Sequence, residues 1–517
     1  MKTGGGERGT REEGRSGAPC RGPASWSRGT SLLVGWTLVA AALPGGPSPL
    51  SAQDTLRDRL DALPLPELRF DPPEPRAGDV DGVPLYFLED RDLPLVTVHA
   101  SFRGGYARLP RSYLGAATAL PSLLRTSGTR SLSSDSVDAR VEYYAMSLSF
   151  GQAGGGLAST MNILTESLAP AAELWSQMIQ APAFDSAQVD VWRGREVERV
   201  LRRRDDLASM AYSRFNQIMF GDHPVGWEMG PDDLDPEDLS REKLRAVHEA
   251  IVCPDNLILG IVGDLDWTEA QELARGLTRG LPPCSGLLSE EPSPDLRTDP
   301  GVFVIHREAE QAVVVMAHVS GIRQDDSPEY FASRIGNSIL GGTGLSSRLS
   351  RRIRTREGLA YGASSLWTVS PRRDGLIGAI TRTKPESAVE ATQLILAEMD
   401  SMALAPPTDG ELHLAIDEIV NGFVFNFETP FQIVARAIAF RHQDLPEDWL
   451  DRYLDGVQAV TGTSVHDAFS KHLDPGRMTL LLVGDTTRFS RSPRELGVVT
   501  VLPDLPSSQR GSRRSPR

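Results

Sequence analysis

Apolar and polar positions along this 517-residue chain fall into two successive sets of elements in similar order. Alternation at 83–88 and 95–102 predicts two strands, and a helical stretch follows over 112–125. Residues 148–150 and 158–163 read as a hairpin about the glycine run 154–156. Helical periodicity follows near 167–180, 186–204 and 207–219. A helix over 239–251 leads into an apolar strand at 257–263, and another helix ends at 281–283. Residues 283–300 are rich in Pro, Ser and acid and lose periodicity, as a linker does. The pattern then resumes with a strand at 312–319, helices at 328–340 and 345–357, a strand at 376–380 and a helix at 386–402. Helical segments fill 410–472 before a strand at 478–484. The segment Asn256-Leu-Ile-Leu-Gly-Ile-Val-Gly-Asp-Leu265 is echoed by Met478-Thr-Leu-Leu-Leu-Val-Gly-Asp-Thr486. Each closes a unit of about 200 residues, which points to an ancient duplication.

The chain start changes the picture. Residues 1–27 are rich in Gly, Arg and Ser, 31–43 are apolar, and Leu50-Ser-Ala-Gln53 offers small residues for cleavage. This is the layout of a secretory signal cut near Ala52; an uncleaved membrane anchor is the alternative. The apolar run is short of the roughly 20 residues that span a bilayer, and no later segment is long enough, so no stable membrane span is expected. The organisation expected is signal peptide 1–52, linker 53–80, a first domain 81–284, linker 285–300, a second domain 301–490, and a tail 491–517 disordered from about Ser507. An exported protein, periplasmic or secreted, follows.

Composition adds exclusions. A net charge of −15 argues against a nucleic-acid partner, which needs a basic face. Of three cysteines, Cys20 leaves with the signal. Cys253 and Cys284 remain, as a disulfide suited to an oxidising compartment or as two buried thiols.

Several segments, in order, resemble the insulinase (pitrilysin) type of zinc metallopeptidase, which includes the mitochondrial processing peptidases. The sharpest is Arg354-Thr-Arg-Glu-Gly-Leu-Ala-Tyr361-Gly362. Others are Phe220-Gly-Asp-His-Pro-Val-Gly226, Cys253-Pro-Asp-Asn-Leu257 with Val262-Gly-Asp264, and Leu445-Pro-Glu-Asp-Trp449. Gly115-Ala-Ala117 and Ser127-Gly-Thr129 bracket the place of the family's zinc motif, and the likeness runs from about Val83 to Val483. The resemblance implies an α/β (α+β) fold of two homologous domains, each a mostly antiparallel sheet packed with helices, facing one another as a clam shell.

Active relatives carry His-x-x-Glu-His on a helix. Both His share one face and hold zinc, and the Glu activates the bound water. Here Thr118 and Ser122 stand where the His residues belong, and Pro121 where the Glu belongs. A register shifted by one places Ala119, Ser122 and Leu123 there instead. Neither register offers a ligand, because hydroxyls compete poorly with imidazole. Pro121 is expected to kink the helix or delay its start. The family's third ligand, a downstream Glu, matches Glu196 or Glu198 roughly; a charge beside Arg195 and Arg199 on a solvated helix is the favoured reading. Among nine histidines, His413 and Asp417 share a helix face as an exposed pair, and His223 sits in a His-Pro turn.

The resemblance implies that Arg354 and Tyr361 hold substrate backbone near the scissile bond. From the residues alone, Arg354 is one of a run (Arg348, Arg351, Arg352, Arg354, Arg356) and Tyr361 a core residue at a strand start. The expectation is a chain that binds no cofactor and is no enzyme by itself. It would complete the chamber of a heterodimer whose sister subunit bears zinc, with a peptide or unfolded protein as substrate. A stand-alone peptide-binding or assembly protein is the alternative. A hydrolase with a displaced site is a third reading.

Overall fold

The computed structural model describes residues 72–153, 156–203 and 205–504. The signal segment with Ala52, most of the 53–80 stretch and the tail from 505 lie outside the described residues.

The first half contains β1 (Arg76–Val80), β2 (Val83–Glu89), β3 (Leu95–Phe102), α1 (Leu114–Thr126), α2 (Ser134–Tyr143), β4 (Ser147–Ala153) and β5 (Gly156–Leu164). It continues with α3 (Leu168–Gln180), α4 (Ser186–Arg203), α5 (Leu207–Phe220), α6 (Arg241–Ile251), β6 (Leu257–Gly263) and α7 (Trp267–Thr278). The second half contains β7 (Gly301–His306), β8 (Ala312–Val319), α8 (Pro328–Asn337), β9 (Ala360–Trp367), β10 (Leu376–Thr383) and α9 (Ala388–Leu404). After these come α10 (Asp409–Phe423), α11 (Pro430–His442), α12 (Trp449–Gln458), α13 (Gly462–His472), β11 (Thr479–Gly484) and β12 (Val499–Leu502). Among the described residues no helix is long and apolar enough to cross a membrane.

The sheets run β1-β2-β6-β3-β5-β4 and β12-β7-β11-β8-β10-β9. Five strands repeat in the same order and direction. β2 pairs parallel with β6 as β7 does with β11, and the remaining three are antiparallel in both. The expected class is borne out: two mostly antiparallel sheets packed with helices. The sixth strand differs, because β1 joins as a hairpin partner of β2 and β12 returns from the chain end to lie parallel to β7.

Burial explains the apolar runs. β6 and β11 are buried at every position, as strands covered on both faces must be. On one face of the first sheet lie α1, α3, α6 and α7, with Leu120, Trp175, Val247 and Ala270 in one core. The equivalent face of the second carries α8, α9 and α13, with Ile335, Ile395 and Phe469. The other face of each sheet is covered by a helix from the opposite half. Phe215 and Met219 of α5 pack on Val313, Val315 and Leu481, while Val434 and Ile438 of α11 pack on Ile258 and Val262. Both are the third helix after their sheet's hairpin, so the exchange is reciprocal. Gly260 makes the second contact close: a Cβ there would lie 2.6 Å from Val434 Cγ1.

Several elements differ from expectation. β1 lies inside the stretch read as linker 53–80; it is short and polar outside its pairing, but Asp81-Gly82, both at positive φ, is the hairpin signal that marks it. β12 lies inside the stretch read as tail. The helix read at 345–357 is a 3₁₀ turn at Gly344–Ser346 and a π-helical segment at Ser350–Arg356, and that at 328–340 passes into a second π segment at Ser338–Gly342. Cys253 and Cys284 form a disulfide, which ties the chain before β6 to the start of the linker.

Candidate functional site

The helix that should carry the zinc motif forms without ligands. Pro121 does not shorten it: α1 runs unbroken from Leu114 to Thr126 with Pro121 buried inside. The proline removes one hydrogen bond, and the burial of Leu120, Leu123 and Leu124 around it offsets that loss. The expected start delay is therefore absent. Ala119 and Leu123 are fully buried, so Thr118 and Ser122 are the two motif positions on the partly open face. The Thr118 hydroxyl donates to the Leu114 carbonyl at 2.8 Å within its own helix.

α4 packs on α1 and brings Glu196 to a buried position. Its carboxylate is already engaged by Arg199, whose Nε donates at 2.7 Å. Glu198 is exposed and pairs with Arg202 at 2.6 Å. Of the two, Glu196 is thus the one turned inward. Among the described residues no group of three His, Cys, Asp or Glu could hold a metal ion. The residues present do not fit zinc. His413 and Asp417 are both exposed on α10. His223 accepts from the Val225 N–H at 3.2 Å and its Nε2 donates to the Pro292 carbonyl at 2.8 Å, a turn and linker role.

The second candidate pair is built. Arg354 lies in the π segment at Ser350–Arg356, and its guanidinium stands 5.0 Å from the Tyr361 ring centre. Tyr361 is no core residue: it is 86% exposed. The register explains why. Arg382 pairs with Gly362 and Thr383 with Ala360, which leaves Tyr361 as the extra residue of a β-bulge on the edge strand β9. Bulges re-aim side chains in this way. Among the described residues Arg354 has no ion-pair partner, unlike Arg348, Arg351 and Arg352. Arg348 grips Glu411 with two bonds of 2.9 and 2.8 Å, Arg351 adds a third at 2.7 Å, and Arg352 meets Glu357 at 3.4 Å.

Glu411 anchors this segment, and sequence reasoning missed it. It is the third helical residue of α10 and closes a capping box with Thr408; the Thr408-x-x-Glu411 spacing was the available signal. Burial pushes its carboxyl up, but the Arg348 bond, the Thr408 backbone N–H and the Arg351 bond outweigh this and hold it at about 2. Glu411→Gln leaves two guanidiniums without their counter-charge. We expect a loss of about 2 kcal/mol in urea unfolding and faster proteolysis within 344–359.

Residues 238–419 match the family described as "Peptidase M16 inactive domain". The chain is similar to M16-family proteins over that span. Arg354 and Tyr361 lie inside the matched span; Thr118, Pro121 and Ser122 lie before it. The insulinase-type resemblance of the ordered segments is borne out. A "Non-peptidase homolog" of Helicobacter pylori is 21% identical over 406 residues, covering 78% of this chain and 92% of its own. An "Uncharacterized zinc protease" of Streptomyces coelicolor is 26% identical over 276 residues, 52% of this chain; the match spans 58% of that relative's length. Among solved structures, a peptidase M16 inactive domain from Pseudomonas fluorescens superposes with a TM-score of 0.71 at 21% identity, covering 81% of this chain and all of that one. The periplasmic protease PqqL from Escherichia coli gives 0.68 at 15% identity, covering 84% of this chain and 50% of that one. At these identities the structures speak for the fold alone.

Proposed function

We propose that this chain is the non-catalytic subunit of an exported heterodimeric zinc endopeptidase, binding peptide substrate through Arg354 and Tyr361. One observation carries the reading: the Arg354–Tyr361 pair is assembled and open to solvent while the motif face of α1 bears only hydroxyls. A guanidinium without an ion-pair partner among the described residues keeps its donors for a peptide carbonyl. A phenol hydroxyl beside it can donate to the same oxygen as charge develops there. Positioning of this kind lowers a barrier without bond chemistry by the residues that do it. Zinc, expected in the sister subunit, would supply the activated water. Two further observations support export: the Cys253–Cys284 disulfide suits an oxidising compartment, and the first residues have the layout of a secretory signal.

The test is co-expression with an M16 chain that bears His-x-x-Glu-His. The proposal expects a one-to-one complex on size exclusion whose cleavage of unfolded peptide exceeds that of the zinc-bearing chain alone. Recovery of this chain only by itself or as a homo-oligomer, with peptide affinity retained, would favour the stand-alone binding protein instead.

A further inference from the structure

We propose that a cavity in the helical layer of the second half binds an aromatic carboxylate, that is, an aromatic side chain next to a free carboxyl group. The cavity has a volume of about 530 Å³ and lies between α8, α10, α11 and α12, with one wall from the end of β9. It is separate from the Arg354–Tyr361 pair. Trp367 lines it at the far end of β9 from Tyr361, roughly 20 Å along an extended strand.

The walls are ring-rich. Tyr330, Trp367, Phe423, Phe440, Trp449 and Tyr453 are six of its fifteen lining residues, in a chain that is only 6% aromatic. These rings hold one another: Tyr330 lies 5.9 Å from Trp367 and 6.1 Å from Trp449, and Phe423 stacks on Tyr453 at 5.3 Å. Such a frame keeps its shape and offers a flat apolar guest both faces and edges.

The polar groups are mostly donors. Arg334 lies 5.6 Å over the Trp367 ring and has no ion-pair partner among the described residues. Arg436 is held by Asn426 Oδ1 at 2.7 Å. The Trp367 indole N–H is buried without a hydrogen-bond partner among the described residues. Two guanidiniums call for an anion. The one carboxylate among the lining residues, Glu418, is exposed at the rim beside the exposed Gly422. There it can receive an ammonium without cancelling the cations within. The π segment at Ser338–Gly342 supplies Ser338 and Gly342 to the wall, and such segments recur at ligand sites.

This chemistry has two sources: the C-terminal residue of a peptide, or a free aromatic amino acid. The experiment is calorimetric titration of the mature chain, with indole fluorescence alongside, using N-acetylphenylalanine, its amide, phenylalanine, and a short peptide ending in phenylalanine. The acids are expected to bind, and the amide to bind at least about tenfold more weakly, the scale of one charge-assisted hydrogen bond. Arg334→Gln is expected to weaken the acids by a similar factor and leave the amide unchanged. Binding of the peptide as tight as that of N-acetylphenylalanine assigns the site to C-termini. Binding of phenylalanine alone, weakened by Glu418→Gln, assigns it to the free amino acid. Equal binding of acid and amide, or none by any probe, overturns the proposal. The comparison of acid with amide on the unaltered chain decides the matter even if Arg334→Gln does not fold.

Discussion

Arg354→Ala is expected to lower kcat/KM of the proposed heterodimer by about 100-fold, the scale on which one preorganised transition-state donor acts. The fall should be mainly in kcat, because a donor aimed at developing charge is worth more in the transition state than in the bound substrate. Tyr361→Phe removes only a hydroxyl and keeps the ring under Arg354, so about a tenfold loss is expected. The fold provides the control. Tyr361 is 86% exposed on a bulge, and Arg354 lies over its ring with no ion-pair partner among the described residues. Neither substitution should therefore shift the unfolding midpoint noticeably. Loss of activity with unchanged stability and unchanged complex formation is the signature of substrate contact. Loss of both together would reduce the pair to a structural role.

Mild acid is the second large effect. Two histidines sit where α11 crosses the first sheet. His99 meets Thr160 Oγ1 at 2.9 Å and the Phe431 ring at 5.6 Å. His442 accepts from Arg103 Nε at its Nδ1 (3.2 Å), so its Nε2 carries the proton and donates to Ser101 Oγ at 2.7 Å. Arg103 also donates to the Arg441 carbonyl at 2.7 Å, and Arg372 reaches Asp444 and the His442 carbonyl at 2.9 Å each. Burial lowers the pKa of His99 to about 4. Burial first, then the charge of Arg103, lowers that of His442 to about 4, with Asp444 opposing.

Both groups bind protons more readily in the unfolded chain, where the ordinary value is near 6.5. Their effect is absent above that pH and grows as pH falls from about 6.5 to about 4. For His99 the loss reaches about 3 kcal/mol near pH 4. His442, partly open to solvent, adds less. His248 and His318 are lowered by burial as well and act in the same direction. The Glu411 contribution, in contrast, is present above pH 4.5 and is lost only as pH falls toward about 2. Urea unfolding between pH 7 and pH 4 should therefore show a steep fall before the carboxylates titrate. His442→Gln, which keeps a donor for Ser101 and an acceptor for Arg103, should make that fall shallower. A profile flat from pH 7 to pH 4 would contradict the assignment.

Much of the fold was legible because the two halves repeat. The runs over β6 and β11 announced central strands, and the matching order around them announced two related sheets. Reciprocal packing of α5 and α11 was not legible. Amphipathic spacing shows that a helix buries a face, not which sheet receives it. The substitutions at Thr118, Pro121 and Ser122 could be read directly, since ligand chemistry is a matter of residue type. Their surroundings could not: Pro121 was expected to kink α1 or delay its start, and the helix starts at Leu114 and continues through the proline. Tyr361 resembled a buried strand residue until the bulge, a feature of pairing register rather than local sequence, turned it outward. Glu411 lay far from its Arg348 and Arg351 partners in the chain, and only its cap spacing was visible.

The central claim is that peptide is bound here and cut elsewhere. Metal analysis of the purified mature chain, with peptide cleavage assayed before and after chelation and zinc reloading, tests it most directly. The account predicts zinc far below one equivalent and no cleavage by this chain alone under either condition. One equivalent of zinc with chelator-sensitive cleavage by the chain alone would contradict it and place a catalytic site away from Thr118, Pro121 and Ser122.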